Sequence, residues 1–142
     1  MLNRQKDRFP EIGEFSDNSI DLQIKNLIEA MNRTGFIKTF CSCEGHEEEE
    51  PATVSFIMRY DRLNKLGKIL NKANKKAEKS GILLDCVLKI VYYNEVLNCQ
   101  EDLPEDFLSL ELILDILEFE EPIWEAKKEV FAILEACFKG AK

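Results

Sequence analysis

The apolar residues of this chain recur with two different periods, and the alternation between them restricts the fold more than any other feature. Spacing at every second residue is typical of strands, whereas spacing at three and four residues is typical of helices. The patterns follow one another in the order helix, strand, strand, helix, strand, strand, helix. Strand patterns occupy residues 36–43, 52–59, 82–93 and 107–119, and helical patterns occupy residues 20–35, 61–81 and 122–138.

That order predicts an α+β fold in which a mainly antiparallel sheet carries its helices on one face, similar to a permuted ferredoxin-like arrangement with an extra helix. The short connection between the first two strand patterns favours antiparallel neighbours. No Gly/Ser linker divides the chain, so residues 16–142 are predicted to form a single domain. Residues 1–15 show no apolar period and predict an N-terminal arm.

Residues that start and stop helices mark several boundaries. The segment Ser16–Ser19 offers N-caps for the first helix, and Asp61 offers one for the second. Gly35 and Gly81 are expected to end these two helices. Pro122 is expected in the first turn of the last helix, where its missing N–H costs nothing.

Two of the strand predictions differ in their evidence. Residues 82–93 are dense in Ile, Leu, Val and Tyr, which predicts a long, largely buried central strand. Residues 107–119 are ambiguous, because their leucines also favour a helix. The alternation of Leu108, Leu110 and Leu112 with Ser109 and Glu111 favours a strand.

Composition places the chain among ordinary globular proteins, with 45% hydrophobic and 32% charged residues. There is no apolar run of roughly 18 residues and no signal-peptide pattern, which predicts a cytoplasmic protein without membrane association. The five cysteines are odd in number and follow no disulfide framework, so free thiols are expected. Cys86 and Cys137 lie among apolar neighbours and are predicted core residues.

The formal net charge of −8 is distributed unevenly. Between Arg59 and Lys79, eight basic and two acidic side chains give a local net charge of +6, whereas residues 99–142 carry four basic and twelve acidic side chains. The basic surface of the predicted second helix consists of Lys65, Lys68, Lys72, Lys75, Lys76 and Lys79. It is either a solvated helix face or a surface that contacts phosphate, as in RNA, although the overall negative field opposes a polyanion. Opposite charges on one chain also favour a protein partner or a homo-oligomer.

The segment 37–46 holds two of the five cysteines and the only histidine. Strand geometry predicts two faces, with Ile37, Thr39, Cys41 and Cys43 on one and Phe36, Lys38, Phe40 and Ser42 on the other. Thiolates and imidazole are zinc ligands, so Cys41, Cys43 and His46 are candidate metal ligands. Two other interpretations remain open. The thiols are buried as small hydrophobes beside a surface histidine, or Cys43 is a nucleophilic or redox-active cysteine with His46 as its base.

A resemblance to a known family covers residues 16–93. The helix start Ser19-Ile20-Asp21 and the strand-end turn Ser42-Cys43-Glu44-Gly45-His46 resemble the tRNA wybutosine-synthesising methyltransferase family, the third protein of that pathway. Its members have a Ser-(Val/Ile)-Asp helix start and a Ser-Cys-Ser-Gly-Arg turn. The segment Leu63–Ile82 is similar to the second helix of that family. The five-residue turn is also similar to one in small bacterial and phage proteins.

The resemblance implies methyl transfer from S-adenosylmethionine to a modified guanosine in tRNA. His46 stands where the family has an arginine, and Glu44 stands where it has a serine, so a bidentate phosphate or carboxylate clamp is not reproduced here. The residues predicted to bind RNA or a nucleotide-type ligand such as S-adenosylmethionine are Ser19, Asp21, Ser42, Cys43, Gly45 and His46.

Overall fold

The structure is a computed structural model that describes residues 9, 23–45, 47, 50–91 and 103–141. Within these residues it contains three α-helices, one short 3-10 turn and four strands. The helices are α1 (Lys25–Arg33), α2 (Leu63–Lys79) and α3 (Ile123–Lys139). The strands are β1 (Lys38–Cys43), β2 (Ala52–Arg59), β3 (Leu83–Ile90) and β4 (Phe107–Glu118). The predicted α-β-β-α-β-β-α order is confirmed. The predicted arm and helix start lie outside the described residues, apart from Phe9.

The four strands form one antiparallel sheet in the order β1-β2-β4-β3. Alternate side chains of β2 and β4, such as Val54, Phe56 and Leu112, are fully buried in the main core. The helices supply the rest of that core, because α3 packs against both α1 and α2 while α1 contacts β1 and α2 contacts β3. The helices therefore cover one face of the sheet, as the sequence predicts.

The opposite face of the sheet carries a smaller apolar cluster. Phe40 and Ile57 are buried there, and Phe9, Val91 and Leu103 pack against them. The ring of Phe9 also lies 5.9 Å from the ring of Phe107, centroid to centroid. This face is therefore partly covered near the C-terminal end of β2.

The position of β3 corrects the sequence prediction of a buried central strand. Among the described strands, β3 pairs only with β4 and forms an edge of the sheet, whereas β4 pairs with both β2 and β3. Most β3 side chains are exposed, and Ile90 keeps 66% of its surface accessible. A dense apolar run reports strand propensity, but it does not fix the place of the strand in the hydrogen-bonding order.

The helix boundaries agree with most of the predicted signals. Gly35 and Gly81 follow α1 and α2 with φ of 83° and 81°, where glycine is unstrained. Pro122 occupies the N-cap of α3, one residue before the predicted first turn. The predicted cap by Asp61 is wrong, since Asp61 lies within a short 3-10 turn before α2 and its carboxylate accepts hydrogen bonds from Arg59. That hydrogen bond lowers the pKa of Asp61.

No helix in the described part of the chain is long and apolar enough to cross a membrane.

Candidate functional site

The side chain of Lys127, in the second turn of α3, contacts the turn between β1 and β2. Its ammonium Nζ lies 2.6 Å from the carbonyl oxygen of Glu50 and 3.4 Å from those of Glu44 and Glu47. An ammonium has three N–H donors, so three carbonyl acceptors match its hydrogen-bonding capacity. Lys127 therefore closes the turn by binding its main chain, and we call this arrangement the lysine clasp.

The lysine lies within the apolar stripe of α3. Ile123, Val130 and Leu134 occupy the same side of the helix at spacings of three and four residues. Lys127 is only 3% exposed, and its Nζ lies 4.4 Å from the ring centroid of Trp124. Burial lowers the pKa of Lys127, while the nearby acidic groups Glu50, Cys43 and Glu44 oppose that shift. A buried ammonium is tolerated here because carbonyl dipoles and an aromatic face replace its water.

Gly45 is required by the clasp. It is buried with φ of 89°, a conformation that side chains with a Cβ rarely adopt. A Cβ at this position would lie 2.3 Å from the Glu50 carbonyl oxygen and 2.6 Å from Lys127 Nζ. The glycine therefore provides both the backbone turn and the space that the lysine occupies.

Further hydrogen bonds fix the two ends of the turn. The N–H of Gly45 donates to Sγ of Cys43 at 3.4 Å, and the N–H of Glu50 donates to the carbonyl oxygen of Glu47 at 3.0 Å. The N–H of Gln23, beside the start of α1, donates to the Glu44 carboxylate at 3.2 Å. Elements from both ends of the described chain thus converge on this turn.

A cavity of about 480 Å³ opens beside the clasp, between the start of β2, the end of β4 and the first turns of α3. This volume lies within the range of small-molecule sites. Its lining combines apolar and charged residues, namely Glu50, Pro51, Leu114, Asp115, Ile116, Phe119, Ile123 and Lys127. The Glu50 carboxylate beside an aromatic and aliphatic wall suits a cationic ligand with an apolar body. Asp115 follows the core residue Leu114 in β4 and therefore directs its side chain to the opposite face of the sheet.

The two cysteines of β1 share the face opposite the helices. Cys41 pairs with Ser55 and Cys43 pairs with Thr53, and cross-strand partners point to the same side of a sheet. Ser55 pairs in turn with Glu111 on β4, so Cys41, Ser55 and Glu111 lie side by side across three strands. Burial raises the pKa of the Cys41 thiol, with smaller contributions from Cys43 and Glu111. The four described cysteines are free thiols, as predicted.

The predicted division of β1 into two faces is only partly right. The pairing register shifts between Thr39 and Cys41, so Phe40 forms a bulge. Thr39 pairs with Phe56 on the helix side, where its backbone and hydroxyl bond to the Asn32 amide. Phe40 instead packs with Ile57 on the opposite face. An extra residue in one strand reverses the alternation on one side of the bulge.

The predicted ligand-binding residues are distributed over several places. Ser42 pairs with Val54 on the helix side of the sheet, whereas Cys43 points to the opposite side and Gly45 is buried in the turn. Ser19, Asp21 and His46 lie outside the described residues. Within the described residues, no three His, Cys, Asp or Glu side chains form a group that could hold a metal ion.

The predicted basic surface is exposed along α2, and it consists of Lys65, Lys68, Lys72, Lys75, Lys76 and Lys79. The Nζ of Lys65 lies 4.9 Å from the ring centroid of Phe36, near the start of β1. These lysines do not line the cavity.

The sequence analysis missed Lys127 and the cavity. The available signal was a single lysine at a helical spacing that otherwise holds apolar residues, three positions after the only tryptophan. Such a lysine must either extend to water or find buried acceptors. Comparison of the chain with protein-family models, with curated proteins and with solved structures found no match.

Proposed function

We propose that the protein is a small ligand-binding domain that takes a nucleotide-type ligand, such as S-adenosylmethionine, in the cavity beside the lysine clasp. The observation that carries the proposal is the juxtaposition of Glu50 with the apolar wall around Phe119. S-adenosylmethionine combines a cationic sulfonium with a flat adenine ring. A carboxylate attracts the first group, and an aromatic and aliphatic wall accommodates the second.

The resemblance to the wybutosine-synthesising methyltransferase family supports the same choice of ligand. Its matching residues Ser42, Cys43 and Gly45 belong to the strand end and turn that Lys127 binds. Glu50 and Lys127 belong to both the clasp and the cavity lining. A ligand that contacts these two residues is therefore coupled to the Ser42–His46 turn.

Isothermal titration calorimetry tests the proposal. We expect S-adenosylmethionine to bind with a dissociation constant in the micromolar range, about −8 kcal/mol. The substitution Glu50→Gln removes a carboxylate from the cavity lining and should weaken binding about tenfold, whereas Glu118→Gln removes one outside the lining and should leave it unchanged. A silent titration at millimolar ligand, or an equal effect of both substitutions, would contradict the proposal.

An RNA-binding version of the proposal uses the exposed lysines of α2. Binding of a tRNA through several phosphate contacts weakens steeply with salt. Replacing Lys72, Lys75 and Lys76 with glutamine should then reduce that salt dependence, while the calorimetric titration of S-adenosylmethionine stays unchanged. A salt dependence that is the same in the triple variant would count against RNA contact at this face.

A second candidate function uses the thiols of Cys41 and Cys43, because both lie on the same face of β1. With His46 as a third ligand, this pair would form a zinc site or a redox-sensing module. Elemental analysis of untagged protein tests the metal version. Less than about a tenth of an equivalent of zinc would contradict it.

A further inference from the structure

Within the part of the chain that the structure describes, β3 is an edge strand that exposes both backbone groups and apolar side chains. The N–H of Val91 donates to the carbonyl oxygen of Ser109 at 3.1 Å, so odd-numbered residues of β3 direct their backbone groups toward β4. By alternation, the N–H and C=O groups of Cys86, Leu88 and Ile90 point away from the sheet. The exposed apolar side chains of this strand are Leu83, Val87, Leu88 and Ile90. Such an edge is a template for another strand.

The charges of β3 are arranged symmetrically about Val87. Asp85 lies two residues before Val87, and Lys89 lies two residues after it. All three side chains are exposed and point to the face opposite the helices, because they pair with Asp115, Ile113 and Glu111 of β4. Neither Asp85 nor Lys89 forms an ion pair with another described residue.

We propose that β3 pairs antiparallel with β3 of a second copy of the chain, about a twofold axis at Val87, to form a continuous eight-stranded sheet. In this register Asp85 lies opposite Lys89 of the partner subunit, and Lys89 lies opposite the partner's Asp85. Both pairs occupy positions without mutual hydrogen bonds, where side chains approach each other most closely. The outward backbone groups of Cys86 and Leu88 bond to those of the partner's Leu88 and the partner's Cys86.

The charges select this register over its neighbours. When a twofold axis lies perpendicular to the sheet, residues paired across it point to the same face. Their numbers must then be both odd or both even, so the axis passes through a residue and not between two residues. An axis at Cys86 would place Asp85 opposite the partner's Val87, and an axis at Leu88 would place it opposite the partner's Val91. Only the axis at Val87 brings both opposite charges together.

The dimer also relieves an unfavourable contact within each chain. Asp85 lies directly opposite Asp115 on β4, and like charges in that position are destabilising. Lys89 of the partner subunit would supply a positive charge on the other side of Asp85. The row across the extended sheet would then read Asp115, Asp85, the partner's Lys89 and the partner's Glu111.

The helix above β3 does not oppose this pairing. Lys65 and Asn74 are nine residues apart, which places them about 180° apart around α2. Lys65 reaches the Phe36 ring near the start of β1, so the flank of α2 that carries Asn74 faces the β3 side. That flank carries Gly67, Asn71 and Asn74, with Glu78 as its charged residue, while the lysines of α2 lie at least about 100° away from Asn74 around the helix. The Oδ1 atom of Asn74 is buried without a hydrogen-bond partner among the described residues. The twofold axis therefore brings together flanks that carry none of the α2 lysines.

Charge reversal followed by sedimentation velocity tests the proposal. We expect the wild-type chain to be a dimer at about 100 µM, a concentration at which a dissociation constant near 10 µM suffices. The variants Asp85→Lys and Lys89→Asp should each be monomeric, because each places like charges opposite one another. Mixing the two single variants should restore a dimer, since every pair across that interface then joins opposite charges. The double variant should dimerise by itself for the same reason.

Several outcomes would overturn the proposal: a monomeric wild type at this concentration, dimers of the single variants, or no association on mixing. Circular dichroism verifies that each variant is folded. Should a reversed variant unfold, Asp85→Asn with Lys89→Gln replaces it and should weaken the dimer about tenfold, while an unchanged dissociation constant would contradict the register. None of these substitutions lies in the cavity lining, so the titration with S-adenosylmethionine should be unaffected and the two proposals fail independently.

Discussion

The ammonium of Lys127 lies 2.6 Å from the carbonyl oxygen of Glu50, and this contact joins α3 to the turn that follows the edge strand β1. The same ammonium also reaches the carbonyl oxygens of Glu44 and Glu47. A single side chain therefore replaces the solvent for three main-chain acceptors.

Substitution Lys127→Met should destabilise the protein by about 3 kcal/mol, because it removes the ammonium donor that the carbonyl oxygens of Glu44, Glu47 and Glu50 share. Lys128→Met is the matched control. Lys128 is exposed and lies 3.5 Å from Glu125, so its loss should cost less than about 1 kcal/mol. Urea denaturation measures both changes. A glutamate-specific protease should cleave the 47–50 segment faster in Lys127→Met, and equal cleavage rates in the two variants would argue against a clasp.

Alanine substitutions at three glycines separate the destabilisation caused by steric collision from the destabilisation caused by a positive φ. Gly45→Ala should cost more than about 3 kcal/mol, because it combines positive φ with a collision against Glu50 and Lys127. Gly81→Ala has positive φ but open space, and it should cost about 1 kcal/mol. Gly67→Ala lies in α2 with no neighbour within 4 Å and should stabilise the protein by about 1 kcal/mol. Thermal or urea unfolding gives the order, and a cost at Gly45 no larger than at Gly81 would contradict the close packing.

Cys86 should make stability fall at alkaline pH. Burial, assisted by Asp85 and Cys137, raises the pKa of its thiol from the ordinary value of 9.0 to about 12. Between these values the folded chain keeps the proton that the unfolded chain loses, so the free energy of unfolding decreases as pH rises. In urea denaturation, Cys86→Ala should show a shallower decrease than wild type from about pH 9 to 11, and the two slopes should agree near pH 7. Parallel curves throughout would exclude this contribution.

The thiols should differ in their rates of alkylation. Cys41 is exposed, whereas Cys137 is buried in the main core at 3% exposure. Iodoacetamide followed by peptide mass spectrometry should therefore modify Cys41 well before Cys137. The raised pKa of Cys41 should keep its rate below that of a free thiol at neutral pH. Modification of Cys137 at the same rate would mean that the core opens on the timescale of the reaction.

Local periodicity was sufficient to predict the element order, because each strand or helix pattern depends on neighbouring residues. The bounds of β2 at Ala52 and Arg59 were predicted correctly, and the ambiguous segment beginning at Phe107 is a strand. The edge position of β3 was not predictable in the same way, since it depends on which strands pair across long sequence separations. The bulge at Phe40 also escaped the strict alternation that the prediction assumed.

The candidate site was predictable only in part. The turn after Cys43 and the special role of Gly45 were visible in the sequence, because glycine and the end of a strand pattern are local signals. The partner of that turn was not visible, because Lys127 lies 77 residues beyond Glu50. The cavity likewise combines the start of β2, the end of β4 and α3, which no short motif records.

The separation between Lys127 and the turn has a consequence for the order in which the chain acquires its structure. The β1–β2 hairpin is complete in sequence long before α3 is synthesised, but the three carbonyl groups of its turn lack the Lys127 ammonium until that helix docks. Long-range contacts of this kind form late, because the loop must close before the contact stabilises it. The turn that carries the candidate site is thus completed by the last helix, and a ribosome-bound chain that ends before α3 would not contain a finished site.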